Sequence, residues 1–205
     1  MTATLTTPIA TAAPATISAR TVRRLGLVLT GGSLAWAAAM FPLGAAPASS
    51  LGIALTDLTG LLFQIGVVAL LTVQLKTRAT GTSRVAVGMF RVEYVLLALA
   101  GLWSLLHGAV PAFRDDTWLA VLDVFWPLSM LGMFIIGVKI AFAGRWRGAA
   151  RIWPLVAESW AVVTVPSMVI FGQGVADLVG PTHLLIGYAA LGAILATRPH
   201  LTGAR

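Results

Sequence analysis

The chain has 205 residues, of which 58% are hydrophobic and only 10% charged, with a mean hydropathy of +0.91. A soluble domain of this size carries about 25% charged residues, so the composition excludes one and predicts an all-α polytopic integral membrane protein with no second folded unit. The formal charge of +7 does not imply nucleic acid, because the basic residues lie in short segments between apolar runs rather than in one soluble patch.

Residues 1–24 are rich in Thr and Ala and contain no acid. They cannot bury a core and are expected to form a disordered basic tail. The first apolar run, Leu25–Ala46, follows Arg20, Arg23 and Arg24. The sequence GAAPASS at 44–50 looks like a small-residue cleavage site, and the arginine pair hints at an export signal. The run is nevertheless longer than the usual signal core of about 7–15 residues, and five more apolar runs follow, so it reads as a retained span. The others are Leu55–Leu75, Val92–Val110, Trp118–Gly144, Ile152–Phe171 and Asp177–Thr197. Six spans fill residues 25–197, and 198–205 form a short tail.

With six spans, both termini fall on one side. That side receives thirteen of the fourteen Lys and Arg residues, and Arg114 alone falls on the other. The bias predicts a multi-pass cell-membrane protein with both termini cytoplasmic. Cysteine is absent, so disulfides and thiol chemistry are excluded. Three histidines without an HExxH spacing predict no metal site.

Orientation sorts the polar residues by depth. The outer group is Asp57, Gln64, Trp103, His107, Asp123, Trp126, Asp177 and His183. The inner group is Gln74, Glu93, Lys139, Glu158 and Trp160. Asp57, Glu93 and Asp177 fall in the first turns of the apolar runs, where an acid caps free N–H groups and complements the helix dipole. Trp118 and Trp153 open their runs like aromatic-belt anchors. Lys139 can snorkel or pair with Glu93 or Glu158, and Gly31-Gly32 suits close helix packing.

Asp123 and Glu158 lie deeper, about one and a half and two turns inside their runs. Ionisable groups there are costly and mark candidate sites. They are the expected catalytic residues, with Trp103, Trp126, Trp160, His183 and Asp177 as the expected substrate-binding set. Pro127, Pro166 and Gly180-Pro181 predict three bends, and broken membrane helices line cavities. An outer-half cavity follows.

A protonated carboxyl beside aromatic walls can protonate an olefin and stabilise the resulting cation. The chain is similar in this coarse architecture to small integral-membrane terpene cyclases: short, all-helical, acid-containing and without an Asp-rich metal motif, since Asp115-Asp116 is only a pair in a loop. The resemblance implies a metal-independent, cofactor-free enzyme that cyclises or isomerises a lipophilic, prenyl-like substrate. A small proton-coupled permease, which at six spans calls for a homodimer, is the alternative, and a non-catalytic membrane partner is the third reading. Haem between His107 and His183 is disfavoured because there is no second histidine pair.

Overall fold

Ser18, Ser49 and Ser83 stand in extended backbone before long apolar stretches, and each side chain accepts a hydrogen bond from the amide three residues on. Such caps satisfy one of the free N–H groups that open a helix. In the computed structural model, which describes residues 17–205, they start α1 (Ala19–Leu43), α2 (Ser50–Lys76) and α3 (Arg84–Ala109). Each helix begins well before its apolar run. Arg20, Arg23 and Arg24 therefore belong to α1 rather than to a disordered tail, and the rest of the expected tail, residues 1–16, lies outside the described residues. Asp57 and Glu93 lie far inside α2 and α3, so neither is the first-turn cap that the apolar boundaries suggest.

The next three spans are each interrupted. α4 (Thr117–Asp123) and α5 (Phe125–Ala143) part at Val124. Pro127 has no N–H to offer the Asp123 carbonyl four residues earlier, which is enough to break the helix there. α6 (Gly148–Glu158) and α7 (Trp160–Phe171) part at Ser159. The bend expected at Pro166 is thus displaced toward the start of the span, and Pro166 sits within α7. α8 (Gln173–Leu184) leads through a π turn, Leu185–Ala189, into α9 (Ala190–Thr197).

Six helical segments, 19–43, 50–76, 84–109, 117–143, 148–171 and 173–197, are long and apolar enough to cross a membrane. The described residues contain no strand. α1 runs against α2, α8 and α9, and glycines set how closely. A methyl on Gly26 would sit 2.7 Å from the Gly192 carbonyl oxygen, and one on Gly32 would strike the Leu62 carbonyl. This is the small-residue packing that helices use in lipid.

The end of the bundle that carries the termini is closed by its own chain. Ala19 N–H donates to the Arg205 carbonyl at 2.8 Å and Arg147 N–H to the Leu201 carbonyl at 2.9 Å. Trp146 is fully buried there, and its Nε1 donates to Thr77 Oγ1 at 2.9 Å. Residues 198–205 thus fold back onto the bundle. The opposite, distal end holds the α1–α2, α3–α4 and α7–α8 connections.

Gly192→Val is expected to cost about 1–3 kcal/mol, the usual penalty for overpacking a closed contact. Gly31, with nothing within 4 Å of a Cβ position, should accept Ala without loss. Thermal unfolding of the two variants in one detergent checks both.

Candidate functional site

The two helix breaks put two indoles in one place. Trp126 is the second residue of α5 and Trp160 the first of α7. Both meet Trp36 from the middle of α1, with ring centroids 5.3 Å (Trp36–Trp126), 5.6 Å (Trp36–Trp160) and 5.5 Å (Trp126–Trp160) apart. Trp160 is held by its Nε1, which donates to the Gly180 carbonyl at 3.0 Å. Phe63 stacks on Trp36 at 4.9 Å and meets the edge of Tyr188 at 4.9 Å.

These indoles wall a cavity of about 220 Å³ toward the distal end, whose lining also includes Trp103, Asp57 and Asp123. Asp57 Oδ2 is 2.6 Å from His107 Nδ1, and Trp103 stacks on the His107 ring at 4.7 Å and 14°. Arg114 fastens the end of α3 behind this pair. Its Nε donates to the His107 carbonyl at 2.8 Å, and its Nη1 donates to Ser50 Oγ at 2.8 Å at the start of α2. Asp123, the last residue of α4, is different. Its carboxyl has no hydrogen-bond partner among the described residues, and it lies near enough to Asp57 and His107 for their charges to interact.

Of the expected site residues, the structure brings Asp123, Trp103, Trp126 and Trp160 to this cavity and adds Asp57 and Trp36. Trp160 therefore belongs with the distal group rather than the inner one. Glu158 does not reach the cavity. The Ser159 break separates it from Trp160, and its Oε1, buried in the bundle, accepts from Gln74 Nε2 at 2.5 Å. Asp177 lies in α8 behind Gln173 and serves the backbone: its Oδ1 accepts from Ala45 N–H at 3.0 Å and Gln173 Nε2 at 2.8 Å. His183 Nε2 faces Ser159 Oγ at 3.2 Å, beside a shallow groove bounded by Val163, Leu178 and Ile186. His107 and His183 thus engage different partners, and neither lines the tryptophan-walled cavity. Among the described residues no three His, Asp or Glu side chains converge on a metal-sized site, and Lys139 forms no ion pair.

Sequence reasoning missed Trp36. Its signal was position: a tryptophan at mid-span departs from the interfacial preference of that residue. Trp153, expected as a belt anchor, also has a partner inside the bundle. Its Nε1 donates to the Ile186 carbonyl at 2.9 Å, one of the groups displaced by the π turn, and Thr30 Oγ1 serves the Ala189 carbonyl at 3.2 Å.

The cavity sets indole rings beside two carboxyl groups. Indole faces attract cations, carboxylates neutralise them, and an unpaired carboxyl can deliver or accept a proton. No family model, curated protein or solved structure matches the chain.

The two acids should separate in a stability measurement. Asp57→Asn weakens a charged hydrogen bond that joins α2 to α3 and is expected to cost about 1–3 kcal/mol. Asp123→Asn removes no hydrogen bond and is expected to leave the unfolding midpoint within about 0.5 kcal/mol of the parent. Parallel thermal melts decide.

Proposed function

We propose that the chain is a membrane-embedded enzyme that isomerises or cyclises a short, lipophilic, prenyl-like molecule by acid initiation. The observation that carries this reading is the unpartnered Asp123 carboxyl on the wall of a tryptophan-lined cavity. In the protonated form, Asp123 delivers its proton to one carbon of a substrate double bond, and the neighbouring carbon becomes cationic. Trp36, Trp126 and Trp160 present faces to that charge. Loss of a proton from an adjacent carbon to the Asp57–His107 pair, or to Asp123 itself, ends the reaction in a new double bond. Atoms and charge balance, so the product is an isomer of the substrate. At about 220 Å³ the cavity is smaller than the roughly 300–1,000 Å³ typical of ligand sites, which favours a short prenyl segment over a long polyprenyl chain.

The excess of Lys and Arg toward the terminal end supports a cytoplasmic position for it, and on that reading the cavity belongs to the outer half of the cell membrane. The substrate then enters laterally from lipid or from the outer face.

One observation favours a second reading, a proton-coupled permease for a lipophilic cation working as a homodimer. Acids occur at two depths, Asp57 and Asp123 at the cavity and Glu93 and Glu158 enclosed nearer the termini. Relay acids at both levels suit a carrier.

Untargeted mass spectrometry of lipid extracts, from a host carrying the chain or its Asp123→Asn variant, separates the readings. The enzyme produces a compound isobaric with a host prenyl lipid but chromatographically distinct. General acid catalysis contributes about 10²–10⁴-fold, so the variant should lower this product at least about 100-fold. Unchanged lipids with both proteins well expressed would sink the enzyme, and Glu158-dependent, proton-coupled flux of a lipophilic cation in proteoliposomes would put the carrier in its place.

A further inference from the structure

The basic end of the bundle is left without counter-charge from its own chain. The sequence has seven acids. Asp57 and Asp123 line the distal cavity, Asp115 and Asp116 lie in the α3–α4 connection, and Asp177 bonds to Ala45 in the α1–α2 connection. Glu93 and Glu158 are each 1% exposed inside the bundle. None of the seven reaches the surface at the terminal end, where the Lys and Arg residues gather.

A cavity of about 390 Å³ lies at this end, at the α2–α3 turn. Its lining joins two cations, Lys76 and Arg78, to the apolar side chains of Leu75, Val87 and Phe90. Arg78 is partly buried, and its guanidinium has no hydrogen-bond or ion-pair partner among the described residues. Residues 58–92 contain no acid that could supply one. A charge drawn out of water needs compensation.

The turn that carries these groups is fixed. Ala79 is fully buried and its N–H donates to the Gln74 carbonyl at 2.9 Å, while Gly81 N–H donates to the Arg78 carbonyl at 2.9 Å. Thr77 Oγ1 accepts from the buried Trp146 indole. Between these anchors Arg78 has φ +54°, a left-handed conformation uncommon for a residue with a side chain. The surface alongside is apolar: Val85, two residues before Val87, is 69% exposed.

We propose that this cavity binds the head of an anionic phospholipid, with Arg78 and Lys76 on the phosphate and Leu75 and Val87 against the start of the acyl chains. The arginine fork matches phosphate geometry, and lysine adds a point charge. Basic pockets between membrane helices are suited to such headgroups. A free anion would use the two cations and leave the apolar half of the lining without a role. The site is separate from the tryptophan-lined cavity, and the assignment holds whichever molecule that cavity takes.

The test is thermal unfolding of the purified full chain in a neutral detergent, titrated with dioleoylphosphatidylglycerol. Dioleoylphosphatidylcholine is the zwitterionic reference and inorganic phosphate the free anion. Phosphatidylglycerol should raise the unfolding temperature where phosphatidylcholine does not. Lys76→Gln/Arg78→Gln should raise the lipid concentration that gives half the effect by at least about tenfold. Arg23→Gln/Arg24→Gln, which removes the same charge from exposed positions on α1, should leave that concentration unchanged. No preference for the anionic lipid overturns the site. Equal losses in the two double variants also overturn it, because they assign the effect to the basic face as a whole. A full effect from inorganic phosphate replaces the lipid with a free anion and overturns the assignment. If Lys76→Gln/Arg78→Gln does not purify, Val87→Phe keeps both cations but fills the cavity and should weaken the response, and an undiminished response would count against the site.

Discussion

Inside a bilayer each backbone amide and carbonyl must find its partner within the protein, and this requirement decides where the last three spans can depart from regular helix. At Val124 the cause is Pro127, which cannot serve the Asp123 carbonyl. At Ser159 the hydroxyl donates to the Val156 carbonyl at 2.8 Å. In the π turn, Trp153 and Thr30 supply donors from neighbouring helices. A π turn inserts a residue into the helical ladder and often marks a functional region. The Ser159 break and the π turn are therefore each supported by an identifiable side chain. Together they set the start of α5 and α7 so that Trp126 and Trp160 turn toward Trp36. The aromatic wall is a consequence of how the backbone is satisfied.

The two acid groups illustrate opposite ways of keeping a carboxyl in an apolar bundle. Asp57 has an ionisable partner, His107, whose ring is fixed from behind by Trp103 and whose backbone is fixed by Arg114. Glu93 and Glu158 have no such partner and are accommodated by glycines and an amide. The first arrangement holds a charge distribution rigidly at the edge of a cavity. The second leaves both carboxyls without a cationic side chain bonded to them. Asp123, exposed at a helix end and without a hydrogen-bond partner among the described residues, belongs to neither.

Much of this was legible in the sequence, and for clear reasons. Apolar length finds spans, because the bilayer thickness fixes about 20 residues per crossing, and all six were found. Of the outer group sorted by depth, Asp57, Trp103, His107, Asp123 and Trp126 come together in the fold, since antiparallel spans bring residues of one level together, while Asp177 and His183 engage other partners. Helix starts were not legible from hydropathy, because Ser49 and Ser83 cap helices beyond the apolar stretch. That error turned Asp57 and Glu93 into apparent caps. The Ser159 break was hidden because no proline lies four residues after it. Without it, Glu158 and Trp160 seem to share one level, while in the fold they belong to different sites.

The fourth span joins these observations. α5 begins with Trp126 at the cavity and continues past Gly132 and Gly137, against which Glu93 and Glu158 rest. Glycines in membrane helices usually let two backbones approach, as Gly26 and Gly192 do here. Gly132 instead admits a carboxyl group, and Gly137 admits one beside the Pro154 backbone carbonyl. Since 1.5 Å of rise separates successive residues, a rigid α5 transmits an axial shift at one end directly to the other.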